Sequence, residues 1–540
     1  MVQQSTHSLP PCVLHEDEHL LVVNKPPGWN THAPSPYAGE GIYDWLKHRE
    51  PRWASLAIIH RLDKETSGVM VFGKTPLANR SLTEQFASRA VRKQYSLLTD
   101  RQPKQSEFVV NSKLVRAGER YVSGNFGELA ETRFEVRNPT SEVPDPGGES
   151  AISCCELTAE PRTGRTHQIR VHAEAKGFPI LGDSLYGGRS FQRVCLHARS
   201  LAFKHPASGI SLHFEVAPEF DRHWGEALVA SIIDRAETNA FRLAHGASHI
   251  VSGFYLDALG DYVLGQYDRP LHPLAETPDG YLGSYFKLVT RHVRSAKTDD
   301  ACPKLVHGQP APDRFTIREN GVTFELSFNE GYSVGLFLDQ RDNRRRLLVN
   351  HVAANFPLFL KSVACQEVLN VFAYTCGFSV CASLTGARTT SLDLSKKYLE
   401  WGKRNFALNG LDPTQHDFIY GDALDWLNRL AKKGRKFDVV LLDPPTFSQS
   451  KEHGVFRAEK DYGKLVAAAL PVLKAGGVLF ASTNAADWEP ERFLASIEGA
   501  VRAARRTILL RHYVPQPPDF PISRSEPAYL KTVWLRLGQV

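Results

Sequence analysis

The 540-residue sequence has no apolar stretch long enough to cross a bilayer, because a spanning helix needs about 20 consecutive apolar residues. An integral membrane protein is therefore not expected. The opening residues, MVQQSTHSLPPC, carry neither a basic leader nor an apolar core, so no secretory signal is read there and a cytoplasmic setting is expected. The eight cysteines, at positions 12, 154, 155, 195, 302, 365, 376 and 381, include no CxxC pair and no Cys/His cluster at zinc spacing. They read as reduced core residues, and no metal is expected. Long internal repeats and low-complexity tracts are also missing.

What remains is a chain that is 42% hydrophobic and 23% charged, as in soluble globular proteins. Its length suggests about three to four domains. The net charge of +6 is unevenly placed: residues 1–240 hold 28 Lys+Arg against 28 Asp+Glu, whereas residues 241–540 hold 37 against 31. Basic clusters occur in both parts, as RAVRKQY (Arg89 to Tyr95), PRTGRTHQIR (Pro161 to Arg170) and DQRDNRRR (Asp339 to Arg346). A polyanion such as RNA is the partner these clusters suggest.

The run NPTSEVPDPGGES, Asn138 to Ser150, is rich in Pro, Gly and acid and reads as an inserted surface loop. A second breaker-rich run, Ser295 to Asp313, precedes RFTIRENGVTFELSF, whose alternation around Asn320-Gly321 is a hairpin signal. Before Pro218 the strand candidates are HLLVVNKP, GVMVFGK, QYSLLTD, ISCCELTAE and HQIRVHA. From Val368 onward EVLNVFAY, ARTTSLDL, DFIYGDA, KFDVVLLDPP and GGVLFAST alternate with loops or amphipathic segments, the pattern of a doubly wound, mostly parallel sheet. The expected architecture is multi-domain: an α+β unit over 1–235, a small strand-rich unit over 236–330 that helps clamp RNA, and an α/β Rossmann-like unit over 331–540.

Asp63, in HRLDKETSG just before an apolar strand, is expected at a loop edge over a cleft; alone, an Asp beside Thr and Ser also reads as a turn cap. Its neighbours go further. EDEHLLVVNKPPGWNTH (Glu16 to His32), HRLDKETSG, RKQYSLL (Arg92 to Leu98), TGRTHQIRVH (Thr163 to His172), GDSLYGG and CLHARSL follow one another along the chain. From about Val13 to Pro218 this order resembles the RluA family of pseudouridine synthases, without a preceding S4 domain. The resemblance implies RNA as substrate and no cofactor for this half. It places Asp63 as the catalytic carboxylate, nucleophile or base, and Arg61 in the space left by the extruded uridine. Tyr95 would stack on the base or take part in proton transfer. Arg165 would pair with Asp63 and keep it ionised, with Arg170 as a rival. His60, His167 and His172 read as structural histidines.

VLNVFAYTCGFSVCASLTGA, Val368 to Ala387, reads as strand, tight loop and helix, and SLDLS ends a second strand at Asp393. Adenosine-containing cofactors use this order, although an ordinary βαβ crossover shares it. GLFLDQRDNRR, YLEWGKRNFALNGL and DPPTFSQSK extend the pattern, which from about Thr323 to Glu491 resembles the S-adenosylmethionine-dependent methyltransferases of large-subunit rRNA, most of all their K/L guanine-7 branch. The resemblance implies S-adenosylmethionine, held by Phe337, Asp339, Gln340, Asn370, Phe372, Tyr374, Thr375, Gly377, Phe378, Asp393, Leu394, Asp422, Ala423 and Asp443. Pro444, Pro445, Phe447 and Asn484 would meet the target base, and Asp443 would hold either that base or the cofactor amine. FLDQRDNRRR (Phe337 to Arg346) would contact cofactor or phosphate beyond its role as a helix start.

Two departures accompany this resemblance. Cys376 stands where the family usually has Gly, so its Cβ either crowds the cofactor's methionine end or is tolerated at negative φ. FASTNAADW (Phe480 to Trp488) has Ser482 and Asn484 and no cysteine, where related 5-methylcytosine enzymes carry a thiolate. Guanine N7 already bears a lone pair and needs only placement, so N7 is favoured over cytosine C5. The expectation is a bifunctional enzyme acting on large-subunit rRNA. A tRNA-directed isomerase, a cytosine methyltransferase and a non-catalytic RNA-binding second half are its rivals.

Overall fold

The computed structural model describes residues 8–145, 151–249, 252–267, 276–288, 302–330, 333–360, 366–450 and 454–539. The MVQQSTH start, residues 146–150 of the expected insertion, residues 295–301 of the second breaker-rich run, Cys365 and Lys451 lie outside the described residues. Among the described residues no helix is long and apolar enough to cross a membrane.

The N-terminal unit is built on an eleven-stranded sheet in which Leu20–Lys25, Ser67–Gly73, Leu196–Lys204, Arg92–Thr99 and Ala151–Pro161 lie side by side in that order. Only the Ser67–Gly73 and Leu196–Lys204 pair is parallel within this set. Ser67–Gly73 is buried along its whole length, as a strand covered on both faces must be. Gly68 makes its entry possible: φ is +122°, and a Cβ there would lie 2.3 Å from the Ala198 carbonyl oxygen. The Arg61–Thr66 loop before it is thereby held at the end of the sheet's interior strands.

Two expectations about this unit fail. HQIRVHA is not a strand, since Gln168–Ala175 is a helix. Every residue from Gln168 to Ala173 is buried, so no polar face marks a helical period, and HxIxVxA mimics strand alternation. The Gln168 side chain holds the turn before it, its Oε1 accepting from Thr163 Oγ1 at 2.7 Å and Arg165 N at 3.1 Å. The acid-, Pro- and Gly-rich run is not wholly a loop either. The strand Glu128–Pro144 runs through it, pairing Ser141 with Cys154 and Val143 with Ile152, because the partner strand outlasts the breakers.

The middle unit is a five-stranded sheet, Ala240–His245, Phe254–Leu259, Tyr262–Tyr267, Gly283–Leu288 and Lys304–Gly308, in chain order. The last strand occupies part of the second breaker-rich run. Next, Phe315–Glu319 and Val322–Leu326 pair across Asn320 (φ 51°) and Gly321 (φ 77°), the double positive φ that an Asn-Gly turn favours.

The C-terminal unit has seven strands in the order Asp417–Tyr420, Arg388–Asp393, Glu367–Val371, Phe437–Leu442, Leu473–Thr483, Lys531–Gln539 and Arg506–Val514. The first five are parallel, and Lys531–Gln539 is antiparallel to both of its neighbours. The strand order reverses beside Glu367–Val371, and ligands of such sheets bind outside the carboxyl ends of the strands at that point. Against the sheet lies the helix Lys396–Leu408, capped by Ser395 accepting from Tyr398 N and burying Leu399, Gly402 and Phe406 along one stripe.

DQRDNRRR has a different role from the one expected. It forms the helix Arg341–Leu348, in which Arg341, Arg344, Arg345 and Arg346 are all buried. Each faces a carboxylate: Arg341 binds Asp519 at 2.6 Å, Arg344 binds Glu319 at 2.6 Å, Arg345 binds Glu50, and Arg346 lies 3.9 Å from Glu40. Two of those acids belong to the N-terminal unit, so this helix is the seam between the halves and presents no phosphate-binding face. Trp45 Nε1 donates to Asp342 Oδ2 at 3.1 Å, and His351 Nε2 meets the Lys47 carbonyl at 3.1 Å. Glu40, His48 and His512 bring ligand atoms within 4.8 Å of one another here, but the adjacent Arg346 cation disfavours a metal ion.

Candidate active sites

The first site is a cleft of about 1220 Å³ lined by Arg61, Asp63, Tyr95, Arg165 and Arg170, with seven Lys/Arg side chains and three carboxylates on its walls. Asp63 leaves the sheet on the loop ahead of Ser67–Gly73 and is half-buried. Burial pushes its carboxyl above the usual aspartate value, while His167, Arg170 and Arg61 pull it back toward the ionised form. Tyr95 faces the same space, and burial together with the Asp63 charge raises its phenol. It is therefore a neutral hydroxyl at ordinary pH.

The two candidate cations separate clearly. Arg165 is directed outward, bonding Glu128 at 3.0 Å and the Leu129 carbonyl at 3.3 Å. Arg170 is buried, bidentate to Asp183 at 2.6 and 2.8 Å, and 3.4 Å from Glu65. Of these two, Arg170 and not Arg165 is the one whose charge bears on Asp63. Asp183 belongs to GDSLYGG, which ties that motif to the site. Arg61 is exposed, with Nη2 3.1 Å from Thr166 Oγ1. The three histidines do not converge on a metal. His60 stacks on Phe86 at 4.6 Å and accepts from Val71 N, and burial pushes it down to about 3. His167 meets the Tyr186 hydroxyl at 2.8 Å, and His172 lies between Ser112 and Thr132.

Two residues behind Asp63 were not singled out from the sequence. Lys25 is fully buried and donates to the carbonyls of Pro26, Trp29 and Lys64 at 2.9, 2.6 and 3.1 Å; burial lowers its ammonium to about 7. Thr31 Oγ1 donates to the Leu62 carbonyl at 2.9 Å and accepts from Leu62 N at 3.2 Å. Together they pin the backbone on both sides of Asp63. The NKPPGWNT stretch was the available signal, since a lysine inside an apolar strand must find acceptors.

The second site lies at the carboxyl ends of the parallel strands. Asp443, after Phe437–Leu442, is held by Gln340, whose Nε2 donates to Asp443 Oδ2 at 3.2 Å and to Ser482 Oγ at 2.8 Å. Burial raises Asp443 to about 6, with the nearby Asp339 charge acting in the same direction. Asp339 accepts from the Tyr529 hydroxyl at 3.0 Å. Pro444 is buried, while Pro445, Phe447 and Asn484 are exposed beside it.

Across the loop after Glu367–Val371, Asp393 accepts from Tyr374 N and Ser395 N, both at 2.8 Å. The exposed Phe337 ring lies 5.3 Å from Tyr374, and Leu394 is exposed beside Asp393. Other expected contacts serve the frame. Asn370 Nδ2 donates to Ser379 Oγ at 2.9 Å, and Thr375 binds the Gly335 carbonyl through its hydroxyl and Asn405 through its own carbonyl. Phe378 is buried against Phe480. Asp422 caps the helix Ala423–Lys432 by accepting from Leu424 N and Asp425 N. At Gly377 a Cβ would come within 3.0 Å of Leu336 Cδ1.

The loop itself is unusual, for Phe372, Tyr374 and Cys376 have φ of 63°, 50° and 64°. Cys376 is thus in the left-handed region, so of the two alternatives tolerance at negative φ does not hold. Its side chain does not stand over the loop but packs on Gly402, where a Cβ would lie 2.3 Å from Cys376 Sγ. A glycine on the neighbouring helix receives the side chain that replaced the loop glycine.

Residues 264–536, half of the chain, match the S-adenosylmethionine-dependent methyltransferase family. The chain belongs to that family. Residues 19–175 match the RNA pseudouridylate synthase family, so this methyltransferase carries a pseudouridylate synthase domain ahead of its own fold. A ribosomal RNA large subunit methyltransferase of Deinococcus radiodurans is 31% identical over 349 residues, covering 59% of this chain and 79% of that protein. The large subunit methyltransferase K/L of a Psychrobacter species is 41% identical over 177 residues, 32% of this chain and 20% of that protein. Methyltransferase K of Neisseria meningitidis is 37% identical over 176 residues, 32% and 46% of the two chains. The methyltransferase's own residues suit its cofactor: a carboxylate ending the second strand, aromatic rings beside it, and a polar Asp–Gln–Ser group at the strand order's reversal.

Proposed function

We propose that the chain isomerises uridine to pseudouridine with Asp63 and methylates guanine N7 beside Asp443, both on large-subunit ribosomal RNA. For the first reaction the supporting observation is one half-buried carboxylate among cations in a basic cleft. Isomerisation breaks the bond from the sugar to N1 and makes one to C5, so the site must stabilise a sugar carbon losing its base. An ionised Asp63 does this as nucleophile or as base, and the Arg170 and Arg61 charges favour that form against burial. Arg61, exposed at the mouth with Nη2 3.1 Å from Thr166 Oγ1, would enter the duplex. Tyr95 offers a ring face and a hydroxyl that stays protonated.

For the second reaction, S-adenosylmethionine supplies an electrophilic methyl group when bound. Asp393 is placed for the ribose hydroxyls, and Phe337 with Leu394 for the adenine. Asp443, fixed by Gln340 and Ser482, accepts from the amino and imino groups of the target purine. Among the described residues of the methyltransferase unit both cysteines, Cys376 and Cys381, are buried, which favours N7 over C5. Cys376 is buried on Gly402 and its thiol is pushed up to about 12 by burial, too high to act as the thiolate that cytosine methylation needs. The named K and K/L relatives support the same target class. Mass spectrometry of large-subunit rRNA fragments from cells with and without the gene tests the whole reading. Loss of one pseudouridine and one 7-methylguanine is expected; unchanged nucleosides would reject it.

A further inference from the structure

Where the three units meet there is a second cavity, of about 420 Å³, that neither reaction uses. Its walls come from Trp29, Asn30 and Trp224 of the N-terminal unit, Ser248 of the middle unit, and Phe520 and Ile522 on the segment joining the last two strands of the methyltransferase sheet. Lys64 and Glu65 line it as well. These residues directly follow Asp63, and Arg61, Asp63 and Thr66 line the cleft. A single loop therefore divides the two spaces. Glu65 also links them, because its carboxylate lies 3.4 Å from Arg170, one of the cations acting on Asp63.

The cavity has the size of a nucleoside site. Trp224 is fixed in place by Gly28, where a Cβ would come within 2.5 Å of its indole, so an aromatic wall is already formed. Lys64 is exposed and offers a cation, while Glu65, Asn30 and Ser248 provide acceptors and donors. Aromatic rings with hydrogen-bonding groups of both kinds and a cation alongside hold unstacked RNA bases with their phosphates. The cavity adjoins the cleft across the shared loop, and in that cleft the same strand would already be bound.

We propose that this cavity takes an unstacked base flanking the target uridine, making a recognition site that neither half possesses alone. It rests on the pseudouridine synthase reading of the cleft. The test is to photocrosslink the full chain to large-subunit rRNA transcribed with 4-thiouridine and to map the joined peptides by mass spectrometry. Crosslinks are expected at the cleft and at peptides holding Trp29, Trp224 or Ile522. Cleft crosslinks with none at the cavity overturn the proposal and leave the cleft reading standing; no cleft crosslinks and no pseudouridine reject that reading itself. As a second measurement, Ile522→Trp fills the cavity from the methyltransferase side. The KM for RNA in isomerisation should rise about tenfold with a smaller change in kcat, in keeping with one lost stacking contact. An unchanged KM in a folded variant overturns the proposal.

Discussion

The two sites each centre on an aspartate raised by burial, yet the company each keeps is opposite. Asp63 faces Arg170, His167 and Arg61 in a wide basic cleft. Asp443 is held by a neutral amide and a hydroxyl and sits beside another acid, Asp339. Countercharge keeps a buried carboxylate ionised and reactive, whereas neutral donors and a like charge leave it balanced between acceptor and acid near neutrality. The same side chain thus suits covalent chemistry in one half and base recognition in the other.

The sharpest way to break this comparison is Asp63→Asn, which keeps the shape and removes the charge. Isomerisation should fall by about 10⁴-fold or more while methylation holds, both read by nucleoside mass spectrometry; retention of a tenth of the activity would end the nucleophile-or-base role. Next in size is the seam on which both sites depend. Glu50→Gln strands Arg345 without its countercharge, and should cost about 3–5 kcal/mol in urea unfolding. A loss below about 1 kcal/mol would show that the seam is solvated.

Asp443→Asn should lower methylation about 100-fold, the scale for losing one preorganised polar contact. Calorimetry with S-adenosylmethionine then decides what Asp443 holds: intact binding points to the base, lost binding to the cofactor amine. The pH profiles sharpen the same contrast. Asp443 has a folded value of about 6 against 3.8 unfolded, so the folded protein binds this proton more tightly. Its stabilising contribution is complete below about 3.8 and disappears as pH rises through about 6; Asp443→Asn should flatten that slope in denaturant titrations. Isomerisation should switch on with rising pH at a value above an ordinary aspartate's, and an acid limb at or below 3.8 would contradict the burial of Asp63.

The smallest effect concerns Cys376 and Gly402. Gly402→Ala overpacks the Cys376 thiol and should cost about 1–3 kcal/mol, and Cys376→Gly in the same chain should return most of it. Cys376→Gly alone trades left-handed strain against lost packing and should move stability by less than about 1 kcal/mol. Independent, additive effects in thermal unfolding would disprove the compensation.

Much of this was legible because it is local. The five parallel strands, the Asn320-Gly321 hairpin and the placement of Asp63 before a buried strand follow from apolar runs and turn residues that act over a few positions. HQIRVHA was misread because burial on every side erased its period. DQRDNRRR was misread because an arginine cluster looks the same whether it faces phosphate or four carboxylates drawn from distant segments. Cys376 left two alternatives open because Gly402, 26 positions further on, carries no mark of its partner.

The sequence by itself determined the two folds, their order and the residue types at each site, since patterning and motif spacing are properties of a few neighbouring positions. Only the tertiary structure decided which arginine bears on Asp63, which acids neutralise the Arg341–Leu348 helix, and that three units enclose a cavity behind the catalytic loop. Those outcomes depend on distances between segments remote from one another in the chain, and electrostatic and packing energies are set by that distance and by burial.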